Sequence, residues 1–186
     1  GRFAGKIIAI ESLNLQGKGF SVRASGELDK RLALQARIDD LSRLVPGASG
    51  TLQAGGWIRL HEGRLSGDIG ARGRALATEG IRIDSTDLTV RLGPGKDDPL
   101  RIAATLRSIA YNGFRASSVT VEATGATNRH SIHAALRAPG AEAFLQLAGG
   151  YGDGTWQGKV LHFSGRDGVG PWRLAVPAAL ALGKSG

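Results

Sequence analysis

Residues 87–107 read Asp87-Leu88-Thr89-Val90-Arg91-Leu92-Gly93-Pro94-Gly95-Lys96-Asp97-Asp98-Pro99-Leu100-Arg101-Ile102-Ala103-Ala104-Thr105-Leu106-Arg107. Leu88, Val90 and Leu92 alternate with polar neighbours. After a Gly-Pro-Gly break, Leu100, Ile102, Ala104 and Leu106 resume the same beat. Successive side chains of a strand point to opposite faces, so both runs predict strands with one apolar and one wet, Arg-bearing face.

The beat extends along most of the chain. Phe20, Val22 and Ala24 keep it before this stretch; Val119, Val121 and Ala123, then Ile132, Ala134 and Leu136, keep it after. Between the runs stand Pro46-Gly47, Gly55-Gly56, Glu62-Gly63, Asn112-Gly113, Pro139-Gly140, Gly149-Gly150, Gly152-Asp153-Gly154 and Asp167-Gly168. These are turn formers with a backbone reason, and Asn112-Gly113 is a type I′ hairpin signal. About fourteen strand candidates follow at a spacing of about 12 residues, the mark of a sequential antiparallel meander. No βαβ alternation is present. Leu32, Leu34, Ala36 and Ile38 fit a strand, whereas Leu34, Ile38, Leu41 and Val45 fit a helix. The reading is a strand to about Ile38, then a short helix over 39–45 capped by Asp39 or Asp40 and stopped before Pro46.

Composition agrees. Leu, Ile and Val supply 41 residues and Gly 29 of 186, while Phe, Tyr and Trp supply ten. Each interior glycine costs a helix about 1 kcal/mol relative to alanine, which disfavours a bundle. The expected fold is all-β, an elongated antiparallel meander over residues 1–186 as one module. The first residues, Gly1-Arg2-Phe3, with no Met anywhere, suggest a fragment of a longer protein.

The chemistry-bearing classes are thin. With no cysteine, disulfides, thiolate metal sites and cysteine nucleophiles are excluded. His130 and His133 lie three apart in a strand, on opposite faces, and cannot chelate together; surface histidines are expected. Asp39-Asp40 and Asp97-Asp98 suit capping and turns. Gly183-Lys184-Ser185 lacks the upstream glycine of a phosphate loop, and Gly47-Ala48-Ser49-Gly50 does not make a nucleophile elbow. No enzyme activity, cofactor or metal is expected.

The net charge of +8 favours phosphate-bearing partners, but the cations are dispersed singly. Arg82, Arg91, Arg101 and Arg107 have no stacking aromatic beside them, so no nucleic acid is expected. An outer-membrane barrel would need two aromatic girdles and strands of 9–11 residues; the apolar runs read as five to seven.

Several segments carry a resemblance. They are Leu41-Ser42-Arg43-Leu44-Val45-Pro46 followed by Gly50-Thr51-Leu52, and Gly125-Ala126-Thr127 with His130 ahead of Ile132. Then come Asp153-Gly154-Thr155-Trp156-Gln157-Gly158, Trp172-Arg173-Leu174, and Pro177-Ala178-Ala179-Leu180-Ala181-Leu182. From about Leu41 to Leu182 the chain resembles the TamB family of the AsmA-like group, as an internal or late periplasmic segment. The paired Trp segments are the most specific part. The resemblance implies a taco-like, U-shaped sheet with an apolar concave face, in a Gram-negative protein anchored in the inner membrane and crossing the periplasm. It implies phospholipid transport to the outer membrane, and outer-membrane protein and autotransporter assembly with TamA, a BamA-like barrel. Unfolded outer-membrane protein strands are further partners on this reading.

The apolar wall of such a groove is then expected at Leu32, Leu34, Ile81, Ile83, Leu88, Val90, Leu92, Ile102, Ala104, Leu106, Val119, Val121, Ile132, Ala134, Leu136, Leu145, Leu147, Trp156, Val160, Trp172, Leu174, Val176, Leu180 and Leu182. A β-sandwich would bury the same parity in a dry core, so a non-transporting structural or adhesive domain stands as the alternative.

Overall fold

The computed structural model describes residues 9–152 and 154–183. The strands are β1 (Ala9–Gly17), β2 (Phe20–Glu27), β3 (Arg31–Ile38), β4 (Ser49–His61), β5 (Arg64–Thr78), β6 (Ile81–Leu92), β7 (Pro99–Tyr111), β8 (Phe114–Ala126), β9 (Arg129–Ala138), β10 (Ala141–Gly152), β11 (Thr155–Asp167), β12 (Gly170–Arg173) and β13 (Ala178–Gly183). All pairings are antiparallel and follow chain order from β1 to β12. β12 and β13 both pair β11, along its two halves, and together form one interrupted edge. The sheet is curled and does not close on itself.

The turns are those the residues dictate. Asn112 and Gly113 have φ of 45° and 87°, the two left-handed residues that a type I′ hairpin requires. Glu62 and Gly63, at 50° and 75°, do the same between β4 and β5. After Ile38 the chain makes one 3-10 turn, Leu41–Arg43, whose N-cap is Asp40; its carboxylate accepts from the Ser42 amide at 3.0 Å and hydroxyl at 2.6 Å. The expected helix is thus a single turn, capped as expected. Asp98 closes the Gly93–Pro99 loop by accepting from the Gly95 amide at 2.7 Å.

Two expectations are corrected. Gly55-Gly56 and Gly149-Gly150 do not break the sheet; they lie inside β4 and β10. A methyl at Gly56 would collide with the Asp68 carbonyl, at Gly149 with the Trp156 indole, and at Gly150 with the Asn128 carbonyl. Close approach, not turning, explains these three. The strands are also longer than the apolar runs: β4 to β11 have 10 to 15 residues. Strand length therefore gives no argument against a barrel here; the open strand order does. β1 stands ahead of the first alternating run, and its register against β2 shifts between Ile10 and Leu13. Asp153, Lys184 and Ser185 lie outside the described residues.

Candidate functional site: an uncovered apolar face

The cross-strand register collects one side chain from every second residue into continuous rows. Leu15, Val22, Ala36, Ala54, Ala71, Leu88, Ala104, Val121, Ala134, Leu145 and Phe163 stand opposite one another from β1 to β11. The next row runs Ala24, Leu34, Gly56, Ile69, Val90, Ile102, Ala123, Ile132, Leu147, Val160 and Ala178. Flanking rows add Leu32, Leu92, Gly158 and Leu180 on one side, and Leu106, Val119, Leu136, Gly165 and Trp172 on the other. One face is thus almost wholly Leu, Ile, Val, Ala and Gly.

Among the described residues the strands form one open sheet, the buried apolar residues are only Ala24, Leu32, Ala116 and Ala123, and no side chain is fully buried, so the face has no dry sandwich core. Shielding comes from curvature instead. Leu32 is only 7% exposed and Ala123 6%, because side chains on the inner side of a curl converge. The outward Arg72 side chain stands 81% exposed. The outer face carries cross-strand ion pairs, Arg72 with Asp87 at 3.1 Å and Arg91 with Asp68 at 2.8 Å. Exposed pairs of this kind contribute about 0–1 kcal/mol each.

Ile81 and Ile83 fall on the other parity from Leu88, yet a kink restores them. Ala75 in β5 and Ser108 in β7 have φ of 50° and 51°. Beyond Ala75, Leu76 turns back against the inner face: a methyl at Gly73 would lie 2.7 Å from Leu76 Cδ1 and 2.8 Å from Thr86 Cγ2. Ile83 pairs with Leu76 and with Ile109, which pairs with buried Ala116. The apolar spacing steps by three across this line, Gly73 to Leu76 and Leu106 to Ile109, which is the sequence trace of the kink. In β11, Leu161 is an extra residue against β10, so Val160 and Phe163 both remain on the inner face.

At the β9–β11 end the wall gains a polar staple. Trp156 Nε1 donates to His130 Nε2 at 2.8 Å, and His130 Nδ1 is 3.0 Å from the Ala126 carbonyl, its acceptor. The indole crosses β10 over Gly149 and lies against Gly158. His130 is thus 9% exposed with both ring nitrogens bonded, not a surface histidine; His133 is on the other face, as expected. The signal for this was available in Gly149 and Gly158, opposite partners that make room for a Trp. Trp172 likewise rests on Gly165, its ring 4.9 Å from that of Phe163. Leu182 pairs with Trp156, and the Leu174 amide donates to the Phe163 carbonyl just past β12. Val176 is off the wall. It is 70% exposed in the link between β12 and β13, where Pro177 cannot donate to the ladder.

The alternation named wall residues in β3 and from β6 onward and passed over β4 and β5, whose inward residues include Ala54, Gly56, Gly67, Ala71 and Gly73. Small residues carry little hydrophobic signal, although they keep the wall low. No helix is long and apolar enough to cross a membrane, and no group of three metal-capable side chains converges among the described residues.

The model of the TamB N-terminal domain matches residues 5–185. The chain belongs to the TamB family. The match extends over residues 5–40, beyond the resembling segments, and it is to the family's N-terminal domain rather than to an internal or late segment. No curated protein and no solved structure matches the chain. TamB membership accounts for a structural or transport module within the AsmA-like group.

Proposed function

We propose that the uncovered apolar face is a groove for phospholipid acyl chains, and that this TamB-family module carries lipid between the inner and outer membranes. The carrying observation is the inner face itself: aliphatic rows continuous over eleven strands of one open sheet, with no side chain fully buried among the described residues. Burying a methylene is favourable by about 0.8 kcal/mol wherever it lies on such a wall. Aliphatic contacts have no direction, so neighbouring positions along a row are nearly equivalent and a chain slides between them at little cost. Exposed apolar surface beyond a few hundred Å² marks binding or assembly, not an ordinary monomer surface.

On the same reading the module works in the periplasm within a protein anchored in the inner membrane. It supports outer-membrane protein and autotransporter assembly with a TamA-like barrel, and performs no catalytic step. The structural or adhesive alternative needed a closed core, and the single layer gives that reading no support. The test is mass spectrometry of an organic extract of the purified chain. Phospholipid at a reproducible stoichiometry is expected, and a lipid-free extract from folded protein contradicts the proposal.

A further inference from the structure

An aliphatic groove needs no polar atom on its wall, yet a polar pair stands there. Among the described residues His130 is the one titratable side chain that is buried. Its Nε2 accepts from Trp156 Nε1 at 2.8 Å, and its Nδ1 donates to the Ala126 carbonyl at 3.0 Å. Both bonds together suit only the neutral imidazole with its hydrogen on Nδ1, because an indole N–H donates and cannot accept. The indole and an incoming proton therefore compete for one lone pair. The bond ties β9 to β11 across β10, and the ring lies over Gly149 and Gly158, which pair with each other; a methyl on either would collide with it. Little else holds the ring down, since its cross-strand partners Tyr151 and Leu182 are themselves exposed.

We propose that His130 and Trp156 form a proton-operated latch on the inner wall, shut while His130 is neutral and released when it is protonated. Imidazole is the side chain that gains charge in the mildly acidic range. A proton from water takes the Nε2 lone pair, breaks the bond to the indole and sets two N–H donors face to face. Nδ1 keeps the Ala126 carbonyl. Nε2–H has no acceptor until the indole swings away and admits water, and an unpaired buried charge is costly. Release uncovers the bare backbone of Gly149 and Gly158 and places a cation on an otherwise aliphatic wall. The positions beside His130 on this face are Gly125 in β8, Gly149 and Tyr151 in β10, and Trp156 and Gly158 in β11; of these only Tyr151 titrates. Arg129 and Lys159 take the opposite parity. At the β8–β9 turn, Asp97 is engaged by the Asn128 side chain at 2.6 Å, and Lys96 meets the Asn128 amide through its carbonyl. The latch is a property of the protein alone and does not rest on what the groove carries.

The test is an NMR titration of the folded chain from about pH 8 to about pH 5, following the His130 ring and the Trp156 indole N–H. Contacts of the indole with the Gly149 and Gly158 α-protons report where the ring lies. Protonation of His130 is expected to coincide with loss of those contacts and with at least about tenfold faster exchange of the indole N–H with water. The circular dichroism spectrum should hold throughout, and protonation of His133 on the outer face should leave the indole in place. His130→Gln keeps an acceptor and a donor but takes no proton, so its indole signals should be the same at both ends of the range. If that variant does not fold, the parent titration decides alone. Indole contacts that outlast protonation of His130, or a His130 that stays neutral throughout, overturn the proposal. So does a pH response retained in folded His130→Gln, or unfolding of the sheet at the same midpoint.

Discussion

At the scale of single residues, the glycines of this sheet separate into those that turn the chain and those that make room. Gly149 makes room: the Trp156 indole passes over it to reach His130, and a side chain there would displace the ring. Trp156→Phe removes the indole donor and leaves the buried His130 Nε2 unpaired, a change expected to cost about 1–3 kcal/mol. A denaturant midpoint unchanged from the parent would show that the staple contributes nothing. Ala75 stands at φ 50°, a conformation that costs an L-residue roughly 1–2 kcal/mol and a glycine little. Ala75→Gly is therefore expected to stabilise the sheet, and Ala75→Val to destabilise it, as read from thermal melts. The opposite order would mean that the kink is not strained. Asp40 is held below the ordinary aspartate range, first by the Ser42 hydroxyl and then by the Ser42 amide. A depressed pKa means the cap contributes above the unfolded value and is lost as pH falls through the folded one. The Ser42 amide resonance should move with Asp40 titration at a pH below the usual aspartate midpoint, and a midpoint at or above it would contradict the bond.

At the scale of elements, the residues that announce strands are those whose large side chains alternate. Leu88-Thr89-Val90 and Ile132-His133-Ala134 state their facing outright, and the register agrees at every one of those positions. β4 and β5 are less legible, because Ala54, Gly56, Ala71 and Gly73 give the same facing without the volume that makes a beat visible. Paired glycines read as turns for the same reason: sequence records permissive backbone, and only the neighbour across the ladder says whether that freedom is used to bend or to be approached. The kink through Ala75 and Ser108 was hidden by residue type, since neither is a residue that favours a left-handed backbone. Its trace is a three-residue step in apolar spacing, repeated in adjacent strands. The helix at 39–45 was legible as a cap and a stop, Asp40 and Pro46, with too few residues between them for more than one turn.

At the scale of the whole molecule, parity could say which side chains share a face and nothing about what covers it. A sandwich and an open curl need the same alternation, and the choice rests on the single open sheet and on the lack of any fully buried side chain among the described residues. That choice has a mechanical consequence. Leu136 lies on the inner face of the open sheet, opposite Val119 and Ala143. Leu136→Arg should therefore leave the circular dichroism spectrum intact, because the new charge reaches water across the open side of the sheet. It should still stop lipid passage in the full-length protein, since an unpaired charge against hydrocarbon costs several kcal/mol. In a closed core the same change would unfold the domain, so unfolding would count against the open groove.

The most direct measurement walks a photo-crosslinking residue from position 131 to 137 of β9 in lipid-loaded protein. Ile132, Ala134 and Leu136 face the aliphatic wall, while Ser131, His133, Ala135 and Arg137 face the polar side. Lipid should be captured at the three even positions and at none of the odd ones, following the two-residue period of a strand. Equal capture at odd and even positions, or no capture anywhere along the strand, would contradict a lipid groove on the apolar face.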